Sequence, residues 1–494
     1  MISDLRKIGG NKMINTKRTK VVCTIGPATK DVEILKKMIL AGMNVARLNF
    51  SHGSFEDQEV YYNAVKKASE EVGLPVAILL DTQGPEIRTG KLEVSPVTLV
   101  AEETFTLVNE DIIGDKTKAS VTYKELYKDV TPGTTILIDD GKIELEVEKI
   151  EGKDVVCKVM NGGDLGSKKS INIPGRHINL PALKEKDIKD LKDACKYDFD
   201  YIAASFIRSV DDVKAIRKVL NENGGERIKI ISKIESQEGI DNFDEILEAS
   251  DGIMVARGDM GVEIPMEEVP LVQKRIIKKC NNSGKIVITA TQMLESMTSN
   301  PRPTRAEISD VANAIFDVTG AIMLSGESAM GKYPVQCVET MSKIAHSIEG
   351  AISYEKRIAR RNMDFENLNY EFYLNYSICT AARQMNAKAI IAYTEVGDTP
   401  RIISSLLPSC PIIAVTKCEK NYRQLALVAN VIPLLIKEEG TAKELIEKGI
   451  EKAIELELIK KDDVLAIAGG DTILENSDTA MNRTIGGVIK ANNK

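Results

Sequence analysis

The stretch 229–261, KIISKIESQEGIDNFDEILEASDGIMVARGDMG, constrains the fold of this chain more than any other. Two short apolar runs, at 230–231 and 253–255, each end in polar residues that have no packing reason to be there. Between them Ile240, Phe243, Ile246 and Leu247 recur at helical spacing, which predicts one helix with a buried face. A strand–helix–strand unit of this kind sets its strands parallel. Lys233, Glu235 and Asp259 then emerge near the carboxyl ends of neighbouring strands, where ligands of parallel α/β folds gather. A lysine with two carboxylates at one mouth points to a divalent cation beside an anionic substrate. The competing reading is a solvated Lys–Glu pair, the commoner place for such charges.

The same unit recurs along the chain. An apolar run at 21–24 breaks at Gly26-Pro27, and a helical pattern over 31–41 stops at Gly42. A run at 45–50 ends among polar groups, Arg47, Asn49, Ser51 and His52, and a helical pattern covers 55–71. The run at 76–80 ends in Asp81, Thr82, Gln83, Gly84, Pro85 and Glu86. From 88 to 175 the rhythm gives way to short alternating runs with turn signals at Pro132-Gly133, Asp140-Gly141 and Gly162-Gly163, the pattern of an inserted β domain. Alternation returns at 201–206, continues through the central unit, and reaches 286–290 before Thr291 and 321–324 before Ser325-Gly326-Glu327. Eight such units over about 260 residues outside the insert suit a TIM (β/α)8 barrel. An open doubly wound sheet is the alternative, but its glycine-rich dinucleotide fingerprint is absent.

The expected organisation is an extension at 1–12, a barrel in two parts at 13–87 and 176–350, a β lid at 88–175, and a C-terminal α/β domain at 351–494. In that last domain the turn carrying Thr394, Gly397 and Thr399 joins a strand to a helix, where backbone N–H groups and hydroxyls hold phosphate or merely shape the turn.

Composition narrows the partners. A net charge of −7 with no long basic block argues against nucleic acid. Eight cysteines without a CxxC pair, and three histidines, leave no framework for structural zinc or disulfides and fit the reducing cytoplasm. No apolar run approaches the roughly 18 residues a membrane span needs.

The chain resembles pyruvate kinases along essentially its whole length. The motifs that carry the resemblance are TKVVCTIGPAT, NVARLNFSHG, LLDTQGPEIRTG, DLGSKKSINIPG, ISKIESQEGI, MVARGDMG, TATQMLESM, PRPTRAEISDVANAI and MLSGESA, in family order. The resemblance implies a barrel with a lid and a regulatory C domain, a homotetramer, and transfer of the phosphoryl group of phosphoenolpyruvate to ADP. It further implies Mg2+ (or Mn2+) on Glu235 and Asp259, and Lys233 at the phosphoryl group in flight. Arg47 matches the phosphate-binding arginine, and Thr291 the threonine near the enolate carbon. The free N–H groups of the turn at Gly258 and Asp259 would receive the substrate carboxylate. On the nucleotide side it implies Asn49, His52, Arg88 and Lys169. A K+ is expected on Asn49, Ser51, Asp81 and Thr82. Glu86 is the family's mark of K+ dependence, although a simple pair with Arg88 would also account for it.

Thr304 with Glu307 reads as a capping box, and Glu295, Arg305 and Asp310 have the option of pairing with one another. Some positions depart from the family pattern. Gln83 stands where a lysine is usual, and Asp317-Val318-Thr319-Gly320 where Asp-Gly-Thr-Asp is common. Val396 replaces a usual hydroxyl and Asp398 adds a negative charge, so fructose 1,6-bisphosphate is expected to activate weakly or not at all. Two rival functions stay open: a metal-dependent barrel lyase acting on an enolate, and a paralogue that kept the fold without turnover.

Overall fold

The computed structural model describes residues 5–8, 12–51, 53–359, 370–471 and 483–490. His52 and much of the stretch 469–489 lie outside them.

Eight strands close into a parallel barrel: β1 (Lys20–Thr24), β2 (Val45–Asn49), β3 (Ala77–Asp81), β4 (Tyr201–Ala204), β5 (Lys229–Ile234), β6 (Gly252–Ala256), β7 (Ile286–Ala290) and β8 (Ala321–Leu324). Closure runs through β8 beside β1 and β3 beside β4, so the open-sheet alternative is excluded. Most of these strands are buried from end to end, which is why they read as unbroken apolar runs. The helices between them carry their own boundary signals. Val32–Ala41 starts where Asp31 Oδ1 accepts the Glu33 N–H at 2.7 Å and stops at Gly42, whose φ of 119° suits glycine. Arg305–Phe316 opens with the Thr304–Glu307 capping box.

The single helix expected over the central stretch is two, Gln237–Asp241 and Phe243–Ala249. Asn242 sits between them and its side chain donates to the Arg208 carbonyl at 2.9 Å, anchoring the break to the neighbouring strand–helix turn. The four apolar residues that suggested one helix are all buried, so the pattern reported the face correctly and missed the interruption.

Within the insert, a seven-stranded sheet and a two-stranded one enclose a core around Phe105, Leu107, Ile136, Ile138 and Val147. The C-terminal sheet has the order Val431–Leu435, Ile412–Thr416, Ala389–Tyr393, Val464–Asp471, Arg483–Lys490. Its last strand is antiparallel and was not foreseen. Leu5–Ile8 and Lys12–Asn15 form a separate hairpin.

The C-terminal domain plugs the amino end of the barrel. Inward-facing Val22, Leu79, Ile231 and Met323 belong to one apolar cluster with Ile412, Leu425 and Val431. Polar ties seal the joint: Tyr201 Oη donates to the Gln424 carbonyl at 2.6 Å, and Lys20 Nζ to the Val431 carbonyl at 2.6 Å. The opposite, carboxyl end of the barrel stays open to a ligand.

Candidate active site

At that end, four strands converge on one lysine. Lys233 is 9% exposed and its ammonium donates to three acceptors: Ser205 Oγ at 2.7 Å, Asp81 Oδ1 at 3.1 Å and Glu235 Oε1 at 3.1 Å. A lysine ammonium has three N–H donors, so the head group is fully engaged. Burial opposes its charge, but the carboxylates of Asp81 and Glu235 outweigh that and hold the ammonium above its usual range. The solvated-pair reading of Lys233 and Glu235 is thereby corrected: both are buried.

Asp81 also accepts from Arg47 Nε at 2.5 Å, while Arg47 Nη1 reaches Thr24 Oγ1 at 2.8 Å. Burial works against the Asp81 charge, yet Arg47 and Lys233 together keep its carboxyl below the ordinary range. Glu235 is 1% exposed and its second oxygen accepts the Phe206 N–H at 2.5 Å. Burial pushes its carboxyl up to about 7 against the pull of Lys233, with Asp259 adding to the rise. A divalent cation between Glu235 and Asp259 would offset that cost. Among the described residues no cluster of three or more His, Cys, Asp or Glu could hold a metal. Two carboxylates completed by water and substrate oxygens are a donor set that suits Mg2+.

The turn after β6 differs from its expectation. The Gly258 N–H is not open to a ligand but donates to Thr291 Oγ1 at 2.8 Å, and that hydroxyl donates in turn to the Ala290 carbonyl at 2.6 Å. Thr291 and Gln292 have φ of 66° and 52°, a left-handed backbone that costs non-glycine residues on the order of 1 kcal/mol or more. Arg257 holds this strained tip. It donates to the Ala290 and Thr291 carbonyls at 3.1 and 2.6 Å, and both oxygens of Asp310 lie 2.8 Å from its Nη1. Asp310 therefore pairs with Arg257, not with Arg305, and Glu307 accepts from Ser296 as well as closing its capping box.

A cleft of about 630 Å3 lies between lid and barrel, lined by Arg88, Lys169, Asp259, Arg208 and Glu263 among others. Lid and barrel touch across it where Asn172 Nδ2 donates to Glu263 Oε1 at 2.8 Å. Lys169 pairs with Asp139 at 2.9 Å. Arg88 and Glu86 are paired through two contacts of 2.8 Å, so Glu86 is not an uncompensated charge. Lys184 also raises positive charge beside it, donating to the Glu86 carbonyl at 2.9 Å. Along the sequence no cation precedes Arg88 in this segment, but in space Lys184 supplies one.

Asn49 and Asp81 are register partners on β2 and β3, and Asn49 Oδ1 accepts the Ser51 N–H at 3.1 Å. Thr82 Oγ1 accepts the Ser205 N–H at 3.1 Å. Gly84, φ 72°, is required here: a Cβ would stand 2.9 Å from both Ser205 Cβ and the Ser205 carbonyl. In the C-terminal domain the Gly397 N–H donates to Thr394 Oγ1 at 2.8 Å, Thr399 lies in the first turn of the helix Asp398–Ser405, and Asp398 pairs with Arg401. The negative charge expected to repel a phosphate there is compensated.

Sequence reasoning missed Ser205, Phe206 and Arg257, and gave Asp310 other partners. Ser205 and Phe206 were within its reach, because they tip an apolar strand in the same way as Lys233 and Arg47.

Models of the pyruvate kinase barrel domain and of its alpha/beta domain match residues 16–338 and 374–483. The pyruvate kinases of Clostridium acetobutylicum and Clostridium perfringens are 54% and 48% identical to the chain over 454 and 457 residues, covering 92% of it and 96% of each relative. That of Bacillus licheniformis is 48% identical, over 92% of the chain and 78% of its own length. With both domains matched and relatives aligned nearly end to end, the chain belongs to the pyruvate kinase family of glycolytic phosphotransferases.

Proposed function

We propose that the chain transfers the phosphoryl group of phosphoenolpyruvate to ADP, giving pyruvate and ATP, with Lys233 at the transferring group. The observation that carries this reading is the buried Lys233 ammonium, flanked by Asp81 and Glu235 beside Arg47 at the open end of the barrel. Phosphoryl transfer asks for positioned positive charge more than for a nucleophile. A β-phosphate oxygen of ADP forms the new P–O bond as the enol P–O bond breaks, and the enolate carbon then takes a proton on the side of Thr291.

Arg47 binds the phosphate with a planar fork, which suits that task better than a lysine. Glu235 and Asp259 would hold Mg2+ or Mn2+, which would supply positive charge to phosphate and enolate oxygens. For the Gly258 N–H to meet the substrate carboxylate, it must leave Thr291 Oγ1, which couples substrate seating to the hydroxyl that attends protonation. Arg88 and Lys169, with Asn49 and His52, meet the nucleotide phosphates once the lid contacts that now bind the two cations are exchanged. A K+ on Asn49, Ser51, Asp81 and Thr82 completes the proposal, supported by the family resemblance and by the pairing of Asn49 with Asp81. A homotetramer is proposed on the same resemblance, and the cytoplasm on the eight scattered cysteines. No helix among the described residues is long and apolar enough to cross a membrane.

The test is pyruvate release measured by a coupled assay with Mg2+, with and without ADP, repeated in tetramethylammonium salts with and without K+. Release that needs no ADP would favour the lyase. Full activity without any monovalent metal ion would remove K+, whereas relief of the requirement in Glu86→Lys would support it.

A further inference from the structure

Of the three acceptors around Lys233 Nζ, the nearest is uncharged. Ser205 follows β4 directly, is buried, and donates its single hydroxyl proton to the Thr82 carbonyl at 2.6 Å. Its oxygen then presents a lone pair to Lys233 Nζ at 2.7 Å, with Asp81 Oδ1 3.1 Å away on the same side. The residue has little freedom to move. Its N–H is tied to Thr82 Oγ1, the next N–H to Glu235, and the close approach of Gly84 shuts off the space behind its Cβ. Phe206 takes a φ of 54° to make that turn.

The three acceptors differ in what else they must do. Asp81 is shared with Arg47, and Glu235 is one of two carboxylates facing a divalent cation in the reading above. A neutral serine has no second cation to serve. We propose that Ser205 is a positioning residue for Lys233: its hydroxyl keeps one N–H donor seated while the other two exchange carboxylates for the transferring phosphoryl group. Without it, the head group is held only by carboxylates whose own partners change during the reaction. The inference rests on the phosphotransferase reading and adds a residue to it.

Three proteins, wild type, Ser205→Ala and Lys233→Met, are compared by steady-state kinetics, thermal melting, and Mn2+ binding in equilibrium dialysis without substrates. For Ser205→Ala, kcat is expected to fall about 10–100-fold, as for other misplacements of a reacting group. KM for phosphoenolpyruvate should stay within about threefold, the signature of an interaction made in the transition state. Mn2+ affinity and the melting midpoint should hold, since the Phe206 N–H and Glu235 are untouched. A kcat within about threefold of wild type overturns the inference. So does a fall in Mn2+ affinity as large as the fall in kcat, which would make Ser205 a prop for the Glu235 turn. If Lys233→Met itself keeps turnover, the phosphoryl-site reading fails and takes this one with it. If Lys233→Met loses turnover and Ser205→Ala does not, only the present inference fails.

Discussion

The two ends of the barrel bury the same kinds of charge and treat them oppositely. At the open end, Lys233 faces two carboxylates and its ammonium is held above the usual range. At the closed end, Lys17 donates to the Gly42 carbonyl and Asn44, and Lys20 to the Val431 carbonyl. With neutral acceptors nearest, burial pulls these two lysines down to about 7 and about 8. The aspartates mirror them. Asp81 has Arg47 and Lys233 and lies below its usual range, whereas burial pushes Asp200 up to about 6 against Arg423. Arg423 is shared with Asp198 at 2.7 Å, so Asp200 receives only part of its charge. Burial alone therefore does not make a reactive site. What separates the ends is that the open one surrounds its lysine with carboxylates that a ligand can replace, while the closed one ties its lysines to neutral oxygens and shares one arginine between two aspartates.

The largest expected effect breaks the open end at its centre. Lys233→Met should lower kcat by on the order of 10²–10³ or more, and lower the melting midpoint as well, because the site gives up transition-state charge and leaves buried Asp81 and Glu235 without their shared counter-charge. A folded variant keeping over about a third of wild-type kcat would end the assignment. Asp81→Asn comes next. It leaves Arg47 and Lys233 without their shared counter-charge, and removing one partner of a buried pair costs about 3–5 kcal/mol. Activity and the urea midpoint should fall together here, as in Lys233→Met. Loss of activity alone would show that Asp81 matters only to chemistry.

How much of this was legible in the sequence follows from the range of each interaction. The barrel strands were readable because each is an apolar run closed by polar residues, and Lys233, Glu235 and Asp259 stand out at such tips. Long-range partners were not. That Arg257 pairs with Asp310, and that Arg423 crosses from the C-terminal domain to Asp200, depends on closure of the barrel and docking of the plug. The break at Asn242 was hidden because the apolar residues on both sides keep one face. Gly258 was read as an open donor because a sequence cannot show that Thr291 folds back over it. Val318, in the turn before β8, has a φ of 65° that a β-branched residue adopts only under constraint. Its N–H donates to the Ile315 carbonyl and its own carbonyl accepts from Asn281.

At the closed end, Arg423→Leu tests whether charge there serves stability alone. The substitution strands Asp200 next to the Ile78 N–H that donates to it at 2.9 Å, and should cost about 3 kcal/mol at pH 8 with kcat little changed. The loss should shrink toward pH 5. Asp200 already has a folded value above its unfolded one, so the folded state binds the proton first and stability falls as pH rises through that window. Without Arg423 the carboxyl rises further, and protonation then removes the charge that lacks a partner. A deficit that stays constant from pH 8 to pH 5 would mean that Arg423 acts through packing.

The smallest effect is carried by Lys20. Its folded value of about 8 lies below the ordinary 10.5, because burial outweighs the attraction of Glu349. Below pH 8 both folded and unfolded states carry the proton, and the cost of the buried ammonium is present in full. Above pH 8 the folded state releases it while the unfolded state keeps it, so stability contributed by this lysine rises with pH until the unfolded value is reached. Each pH unit inside that window is worth about 1.4 kcal/mol at most. Wild type should therefore gain about 1 kcal/mol on Lys20→Met between pH 8 and pH 9, read as the difference in their urea unfolding free energies. Lys17 pushes in the same direction. Its own value is lowered by burial and then by Lys20, so the variant lets Lys17 hold its proton to higher pH and weakens the rise there as well. Lys233 supplies the contrast: with two carboxylates beside it, its ammonium stays protonated across the whole window and contributes no slope of its own from pH 8 to pH 9. If Lys20 behaves like Lys233 and shows no slope, the Val431 carbonyl stabilises the ammonium as well as two carboxylates do, and the distinction between the two ends of the barrel falls.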